Sequence, residues 1–120
     1  MQNFRNLKVW RRAHAVALAI HAATEPFPVS ERYGLTSPMR RPAASVPANI
    51  AEGCGRSSDA DFARFLHVAS GSAGELECFL LLARDLRMLE DAAHDALATD
   101  TQEVKRMLAA LVGRLKADSL

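Results

Sequence analysis

The chain has 120 residues, of which 49% are hydrophobic and 24% charged, and its net charge is +1. These values predict one globular domain with a single core, and they exclude a strongly basic coat protein or an acidic tail. Only 6% of the residues are aromatic, and Ala and Leu dominate, which favours helices over strands. No apolar segment resembles a signal peptide or a membrane span, so we expect a cytoplasmic protein with no membrane partner.

Charge is distributed unevenly along the chain. Residues 1–58 contain eight Lys or Arg and three Glu, whereas residues 59–120 contain seven Lys or Arg and eleven Asp or Glu. The first half therefore carries a charge of +5 and the second a charge of −4. This split predicts either a local basic face on a nearly neutral molecule or complementary faces that pair helices or subunits.

The first predicted helix covers residues 7–25. Its apolar residues recur at spacings of four and three, and a second apolar stripe contains Trp10 and Leu18. A helix that is apolar on two sides is covered from two sides, as in a bundle whose subunits also associate. Pro26 ends this helix, and Phe27 is expected to reach the core.

The second predicted helix, residues 36–52, contains three prolines. Pro38 lies in the first turn, where its missing N–H is not needed, but Pro42 and Pro47 each remove one intrahelical hydrogen bond. We therefore expect a kink or a locally opened turn that tertiary packing holds in place.

The third predicted helix covers residues 59–89, and the fourth covers residues 101–116, with a weakly helical connection between them. The third has a continuous apolar stripe that further apolar positions widen, which predicts burial on more than one side. Gly71 and Gly74 each cost about 1 kcal/mol relative to alanine inside a helix, so we expect another backbone to approach closely there. The fourth has apolar residues at alternating spacings of four and three, which is typical of a bundle seam.

No alternating strand pattern, hairpin signal or internal repeat occurs in the sequence. Four helices joined by short loops predict an all-α, antiparallel up-and-down four-helix bundle, with the second helix kinked by its prolines. The bundle is expected to form a single domain over residues 1–120.

Patterns that would indicate a metal site do not converge. His14 and His21 are about two helical turns apart, and Glu90 with His94 supplies only two ligands. Solvated or interface side chains are the simpler interpretation of all four residues. We therefore expect no metal and no cofactor.

Catalytic patterns are equally weak. Cys54 and Cys78 are expected to be reduced thiols, because no secretion signal is present. Cys54 could be imagined as a nucleophile with His67 or His14 as its base, but a small buried thiol is the simpler interpretation. The glycines around Cys54 do not form a phosphate-binding loop. We expect no enzymatic activity.

The paired arginines at positions 40 and 41 allow two interpretations. In one, they belong to a basic surface for nucleic-acid phosphates. In the other, they pair with Glu25, Glu52 or the acidic half of another subunit. The candidate nucleic-acid-binding residues are Lys8, Arg11, Arg12, Arg40, Arg41 and Arg56.

Two polar residues stand among small apolar ones in the second predicted helix. Asn49 and Glu52 are expected to be structural supports rather than binding residues. Either they satisfy backbone groups that Pro47 leaves without a partner, or they pair with an arginine.

The chain resembles the four-helix bundle proteins of the 23S rRNA intervening-sequence family in an ordered series of motifs: FRNLKVWRRAHAVALAIHAATEPFP, ERYGLTS, SVPANIAEGCGR and DFARFLHVASGSAGELE. The resemblance covers residues 4–89. It implies a small bacterial four-helix bundle that assembles into a homopentamer and has no catalytic activity. Related accessory proteins of diversity-generating retroelements imply that nucleic acid and a protein partner bind through basic residues.

The resemblance transfers a nucleic-acid role only to Arg40 and Arg41, which match the family's basic pair. The sequence departs from the family's pattern at Pro38, where glutamine is usual, and at Pro42, where alanine is usual, whereas Pro47 fits it. The sequence therefore predicts a non-enzymatic homo-oligomeric scaffold that binds RNA or DNA. The alternative is a protein–protein interaction module with no nucleic-acid role.

Overall fold

A computed structural model describes residues 3–118, and most of these residues are helical. The predicted domain, residues 1–120, extends two residues beyond this part at each end. No strand occurs within residues 3–118, which confirms the all-α class. The main helices are α1 (Lys8–Thr24), α2 (Ser37–Cys54), α3 (Asp59–Asp85) and α4 (Asp91–Asp118).

The four helices form a closed bundle about 49 Å long and 20 Å wide. Helix α2 packs against α1 and α3, and α4 packs against the same two helices from the other side. Small and branched side chains from all four helices meet halfway along the bundle, where they leave almost no empty space between the helices. This layer contains Ala13, Val16, Ala43, Val46, Ala73, Leu76, Thr101 and Val104.

The segment between α1 and α2 contains the irregular backbone of the bundle. A 3-10 turn, Val29–Glu31, leads directly into a π-helical turn, Arg32–Thr36, and α2 begins at the next residue. Phe27 is buried in the core, as the sequence predicted. The π-helical turn was not predicted, because a single wide turn leaves no signature in the spacing of apolar residues.

Helix α2 continues through both internal prolines. Each of Pro42 and Pro47 lacks an N–H group and so removes one hydrogen bond from the helix. Both rings are buried, so their packing against the core offsets part of this loss. Buried side chains on the same face, including Met39 and Ile50, anchor α2 in the core. The prolines therefore do not break the helix, and the kink that they are expected to introduce stays a prediction.

Helix α3 ends at Asp85, earlier than the predicted residue 89. Arg87 has a positive φ of 63°, which the right-handed helix cannot accommodate. The Met88 N–H donates to the Ala83 carbonyl at 2.9 Å, and the Arg87 N–H donates to the Arg84 carbonyl at 2.9 Å. These two bonds form a Schellman motif that closes the helix, with arginine where glycine is common.

Helix α4 begins at Asp91, so the predicted start at residue 101 is wrong. The His94 N–H donates to the Glu90 carbonyl at 2.9 Å, which opens the helix. His94 and Leu97 are both buried, so this alanine-rich segment belongs to the core. The prediction failed because alanines on every side of the segment hide its apolar face.

The glycines of α3 do not allow a close backbone approach within this chain, contrary to the expectation. A Cβ added at Gly71 would meet nothing within 4 Å among residues 3–118, and at Gly74 it would meet only the Lys105 ammonium at 4.0 Å. A close contact with side chains occurs instead at Gly53, where a Cβ would lie 2.7 Å from Cδ1 of Phe62. Gly53 thus lets the start of α3 pack onto the end of α2.

One helix among residues 3–118, α3, is long and apolar enough to cross a membrane by length and composition alone. The expectation that no membrane span is present is not contradicted by this finding, because charged residues interrupt the apolar sequence of α3. One helix of this kind is weak evidence for a membrane span, because core helices of soluble bundles pass the same test. Helix α3 has a buried face that packs between α2 and α4, which is the role of a bundle helix.

Candidate functional site

Arg40 lies at the junction of α1 and α2, half-buried. Its Nε donates to the Thr24 hydroxyl at 2.8 Å, and its terminal nitrogen donates to the His21 carbonyl at 3.3 Å. The same nitrogen lies 3.2 Å from the Glu25 carboxylate. Three partners on the last turns of α1 therefore hold this guanidinium. Of the two interpretations of Arg40, the structure places it in the ion pair with Glu25.

Arg41, the next residue, is exposed and has a different environment. It has no hydrogen bond or ion pair with any residue in the described part of the chain, 3–118. It lines a cleft of about 370 Å³ between the π-helical turn, α2 and α3. Because successive residues of an α-helix point about 100° apart, Arg40 and Arg41 reach different surfaces.

The basic residues of α1 lie at its amino-terminal end. Arg11 donates to the Arg5 carbonyl at 3.0 Å, and Lys8 and Arg12 are exposed. The pKa of Glu103 on α4 is lowered by the hydrogen bond from Arg106, by the charge of Arg106 and, least, by the charge of Arg12. The charge of Arg12 therefore favours the ionised form of Glu103, although the two side chains form no ion pair.

Arg56 lies just beyond α2 and is tied to its neighbours. Its terminal nitrogen is 2.6 Å from the Glu52 carboxylate, and its Nε is 3.7 Å from Asp61. Its guanidinium also lies over the ring of Phe65, 4.6 Å from the centroid. These contacts hold the turn between α2 and α3 in place. The two carboxylates also partly neutralise the positive charge of Arg56.

The bundle divides the six candidate basic residues between its two ends. Lys8 is the first residue of α1, whereas Arg40 is bonded to Thr24, the last residue of the same helix. The 16 residue steps from Lys8 to Thr24 span about 24 Å, so Lys8 and Arg40 lie at opposite ends of α1. Arg56 lies beyond the opposite end of α2 from Arg40. The structure thus brings Lys8, Arg11, Arg12 and Arg56 to one end and Arg40 and Arg41 to the other.

Asn49 and Glu52 have separate partners. Asn49 is half-buried and donates to the Ser45 carbonyl and the Ser45 hydroxyl, both at 2.9 Å. The Ser45 hydroxyl is also 2.9 Å from the Ser72 hydroxyl, so a polar chain crosses from α2 to α3. Glu52 pairs with Arg56. Neither side chain is bonded to the Ala43 carbonyl, the group that Pro47 deprives of its usual donor.

The thiols and histidines do not converge on a reactive site. Cys54 is buried, and burial raises the pKa of its thiol, whereas Cys78 is exposed. His94 is buried with its Nδ1 3.0 Å from Asp95, so its interpretation as a solvated or interface side chain was wrong. Within residues 3–118, no three His, Cys, Asp or Glu side chains are grouped to hold a metal ion.

Helix α3 presents large apolar side chains to solvent. Val68, Leu82 and Leu86 are 47%, 44% and 55% exposed, and Phe79 is half-buried beside them. The spacing of these four residues places them on one side of the helix, which we call the α3 outer stripe. The sequence predicted cover on more than one side of this helix, but the residues between 3 and 118 leave this stripe partly exposed.

The fold and its surfaces define an all-α four-helix bundle, and residues 3–118 show no arrangement that indicates catalysis. The chain belongs to the 23S rRNA-intervening sequence protein family, which matches residues 5–110.

The bundle is similar to the crystal structure of a protein with unknown function from the S23 ribosomal protein family of Bacteroides thetaiotaomicron VPI-5482. The TM-score is 0.77 at 23% identity, over 87% of this chain and 97% of that one. At this identity the similarity shows the fold alone. A comparison with curated proteins finds no match.

Proposed function

We propose that this protein is a non-enzymatic, cytoplasmic scaffold that acts as a homo-oligomer. The observation that carries the proposal is the α3 outer stripe, whose large apolar side chains stay partly exposed in the described part of the chain. A homopentamer is the assembly that the family resemblance implies. A second copy of the chain is the proposed cover for the stripe.

Burial of the stripe would supply the driving force for association. Apolar surface removed from water contributes roughly 25 cal/mol per Å², so several half-exposed Leu, Val and Phe side chains together favour a helix contact by a few kcal/mol. Scattered single apolar residues need no such explanation, but Phe79, Leu82 and Leu86 follow one another at spacings of three and four and form a strip at the end of α3. Val68 lies on the same side about three turns earlier, with Ser72 and Glu75 between it and Phe79.

Gly71 supports the same face. It lies one turn from Val68, and its missing side chain leaves open space within the described part of the chain. The close backbone approach that the sequence predicted is absent inside the bundle, so we assign it to a neighbouring subunit. Glycine at such a point lets two helices approach more closely than larger residues allow.

Two substitutions test the proposed interface. Leu82→Glu places a charge in the α3 outer stripe, and Leu81→Glu places the same charge on the next residue, which is 45% exposed but points elsewhere. We expect light scattering to show an assembly larger than the 13.1 kDa chain for the native protein and for Leu81→Glu. Leu82→Glu should be largely monomeric. A native monomer at tens of micromolar would contradict the proposal.

A second candidate function is the binding of RNA or DNA. It is favoured by the cluster of Lys8, Arg11 and Arg12 near the first turn of α1. The guanidinium of Arg41 at the other end, which has no partner among residues 3–118, adds a further positive charge. Each phosphate contact releases counterions, so affinity should fall steeply with salt. Arg40 is left out of this candidate surface, because its donors already serve α1.

A salt series distinguishes this function from a protein-interaction module. We expect a Lys8→Ala/Arg12→Ala variant to weaken binding to structured RNA or duplex DNA, and each of the two substitutions to lower the salt slope by about one. Arg114→Ala, an exposed arginine of α4, is the control. If neither nucleic acid binds at micromolar protein, and partners survive nuclease treatment of a lysate, the interaction module is the better proposal.

A further inference from the structure

The cleft beside Arg41 lies between three elements, and its α3 residues lie between Val68 and Phe79 on the same side of that helix. The π-helical turn supplies Tyr33, the first two turns of α2 supply Ser37 and Arg41, and the middle of α3 supplies Ser72 and Glu75. We call this space the Tyr33 cleft. Its volume of about 370 Å³ lies within the range of small-ligand sites, roughly 300–1,000 Å³.

Opposite charges line the Tyr33 cleft without meeting. Arg41 and Glu75 are both exposed, and neither forms an ion pair or hydrogen bond with any residue in the described part, 3–118. Their charged groups are therefore more than 4 Å apart, although both line the same space. A bridging ligand could thus engage both charges at once, with an anion on Arg41 and a cation on Glu75.

The floor of the cleft is polar and held in place. The Ser45 and Ser72 hydroxyls are 2.9 Å apart, and Asn49 donates to the Ser45 hydroxyl at 2.9 Å. These bonds fix the positions of two hydroxyl oxygens that a ligand could contact.

Tyr33 forms the rim. It is 83% exposed and is the chain's single tyrosine. A π-helical turn holds it beside the cleft, and such turns often occur at functional sites. The exposed ring offers a flat apolar surface, while its hydroxyl can donate or accept a hydrogen bond.

We propose that the Tyr33 cleft binds a small zwitterion. The anionic group, a phosphate or a carboxylate, accepts hydrogen bonds from the Arg41 guanidinium, and the ammonium group donates to the Glu75 carboxylate. The carbon chain between them crosses the serine floor under Tyr33. This inference requires the cleft to stay open in the assembled protein, because Ser72 and Glu75 lie on the same side of α3 as the α3 outer stripe. The cleft also shares Arg41 with the candidate nucleic-acid surface.

The test uses two zwitterions and their separate halves. Phosphoethanolamine carries a phosphate and an ammonium, β-alanine carries a carboxylate and an ammonium, and inorganic phosphate and ethanolamine each carry one kind of charge. We expect at least one zwitterion to shift the NMR amide resonances of Arg41, Ser72 and Glu75 with a Kd of about 1 mM. Each single-charge probe should bind about tenfold more weakly. The preferred zwitterion identifies the anion as phosphate or carboxylate.

Matched variants complete the test. Arg41→Gln and Glu75→Gln should each weaken zwitterion binding by about tenfold, because each removes one charged group from the cleft. Arg114→Gln and Asp100→Asn, which change exposed charges on α4, should bind normally. The proposal is overturned if neither zwitterion shifts these resonances at about 20 mM. It is also overturned if inorganic phosphate binds as tightly as phosphoethanolamine and Glu75→Gln has no effect.

Discussion

Arg40 and Thr24 are joined by a 2.8 Å hydrogen bond from guanidinium to hydroxyl, although 16 residues separate them in the sequence. Thr24 is almost fully buried, and its hydroxyl donates in turn to the Ile20 carbonyl at 2.8 Å. The bond ties the first turn of α2 to the last turn of α1. It therefore closes the irregular connection between them, which contains the π-helical turn.

Arg40→Ala should destabilise the bundle. Removal of a charged donor from a buried hydroxyl costs about 1.5–3 kcal/mol in free energy of unfolding. Arg41→Ala is the matched control, because its side chain has no partner among residues 3–118, and it should change stability by less than about 0.5 kcal/mol. Urea unfolding followed by circular dichroism measures both. Equal effects of the two substitutions would show that the Thr24 contact contributes nothing.

Arg87→Gly should stabilise the protein. Arg87 occupies the left-handed position of the Schellman motif that ends α3, with φ of 63°, and a non-glycine residue there costs about 1–2 kcal/mol. Glycine removes this cost, but its greater conformational freedom in the unfolded chain offsets part of the benefit. We therefore expect the free energy of unfolding to rise by about 0.5–1 kcal/mol. Arg114→Gly, inside α4, should instead lower stability by about 1 kcal/mol. Thermal unfolding gives both signs, and a destabilised Arg87→Gly would contradict the prediction.

Gly53→Ala should lower the stability of the protein, whereas Gly55→Ala should not. An added Cβ at Gly53 would lie 2.7 Å from Phe62 Cδ1 and 3.1 Å from Phe65 Cβ, so the start of α3 must shift. Such overpacking typically costs about 1–3 kcal/mol. At Gly55 the nearest atom is the Glu52 carbonyl oxygen at 3.5 Å, and φ is −83°, which alanine adopts readily. Chemical denaturation should leave Gly55→Ala at or slightly above native stability.

The two thiols should differ in reactivity. Cys78 is exposed and should react with a disulfide reagent within the mixing time of a bench assay, whereas buried Cys54 reacts only when the structure opens. Burial raises the pKa of Cys54 above its ordinary value of 9.0, so its thiolate forms only at higher pH. Any stability from the neutral thiol is present below that ordinary pKa and is lost as pH rises through the raised value. Cys54→Ala and Cys78→Ala assign the two kinetic phases, and equal rates would show that Cys54 is accessible.

Periodicity predicted the helical class and the first two helices closely, because an apolar face must recur every three or four residues to reach a core. The predicted bounds 7–25 and 36–52 lie within two residues of α1 and α2. Helix α4 was predicted ten residues short at its start, because the alanines of residues 91–100 are apolar on every side. Burial of His94 and Leu97 against the other helices selects one of those sides, and this depends on packing rather than spacing.

Arg40 and Arg41 show the same division at the candidate site. The sequence by itself determined that two adjacent arginines lie near the start of a helix, and it allowed either an ion pair with Glu25 or a binding surface. Only the tertiary structure decided that Arg40 meets Thr24 and Glu25, while Arg41 lines the Tyr33 cleft. Adjacent helical residues point about 100° apart, so their neighbours depend on where α1 and α3 lie around α2.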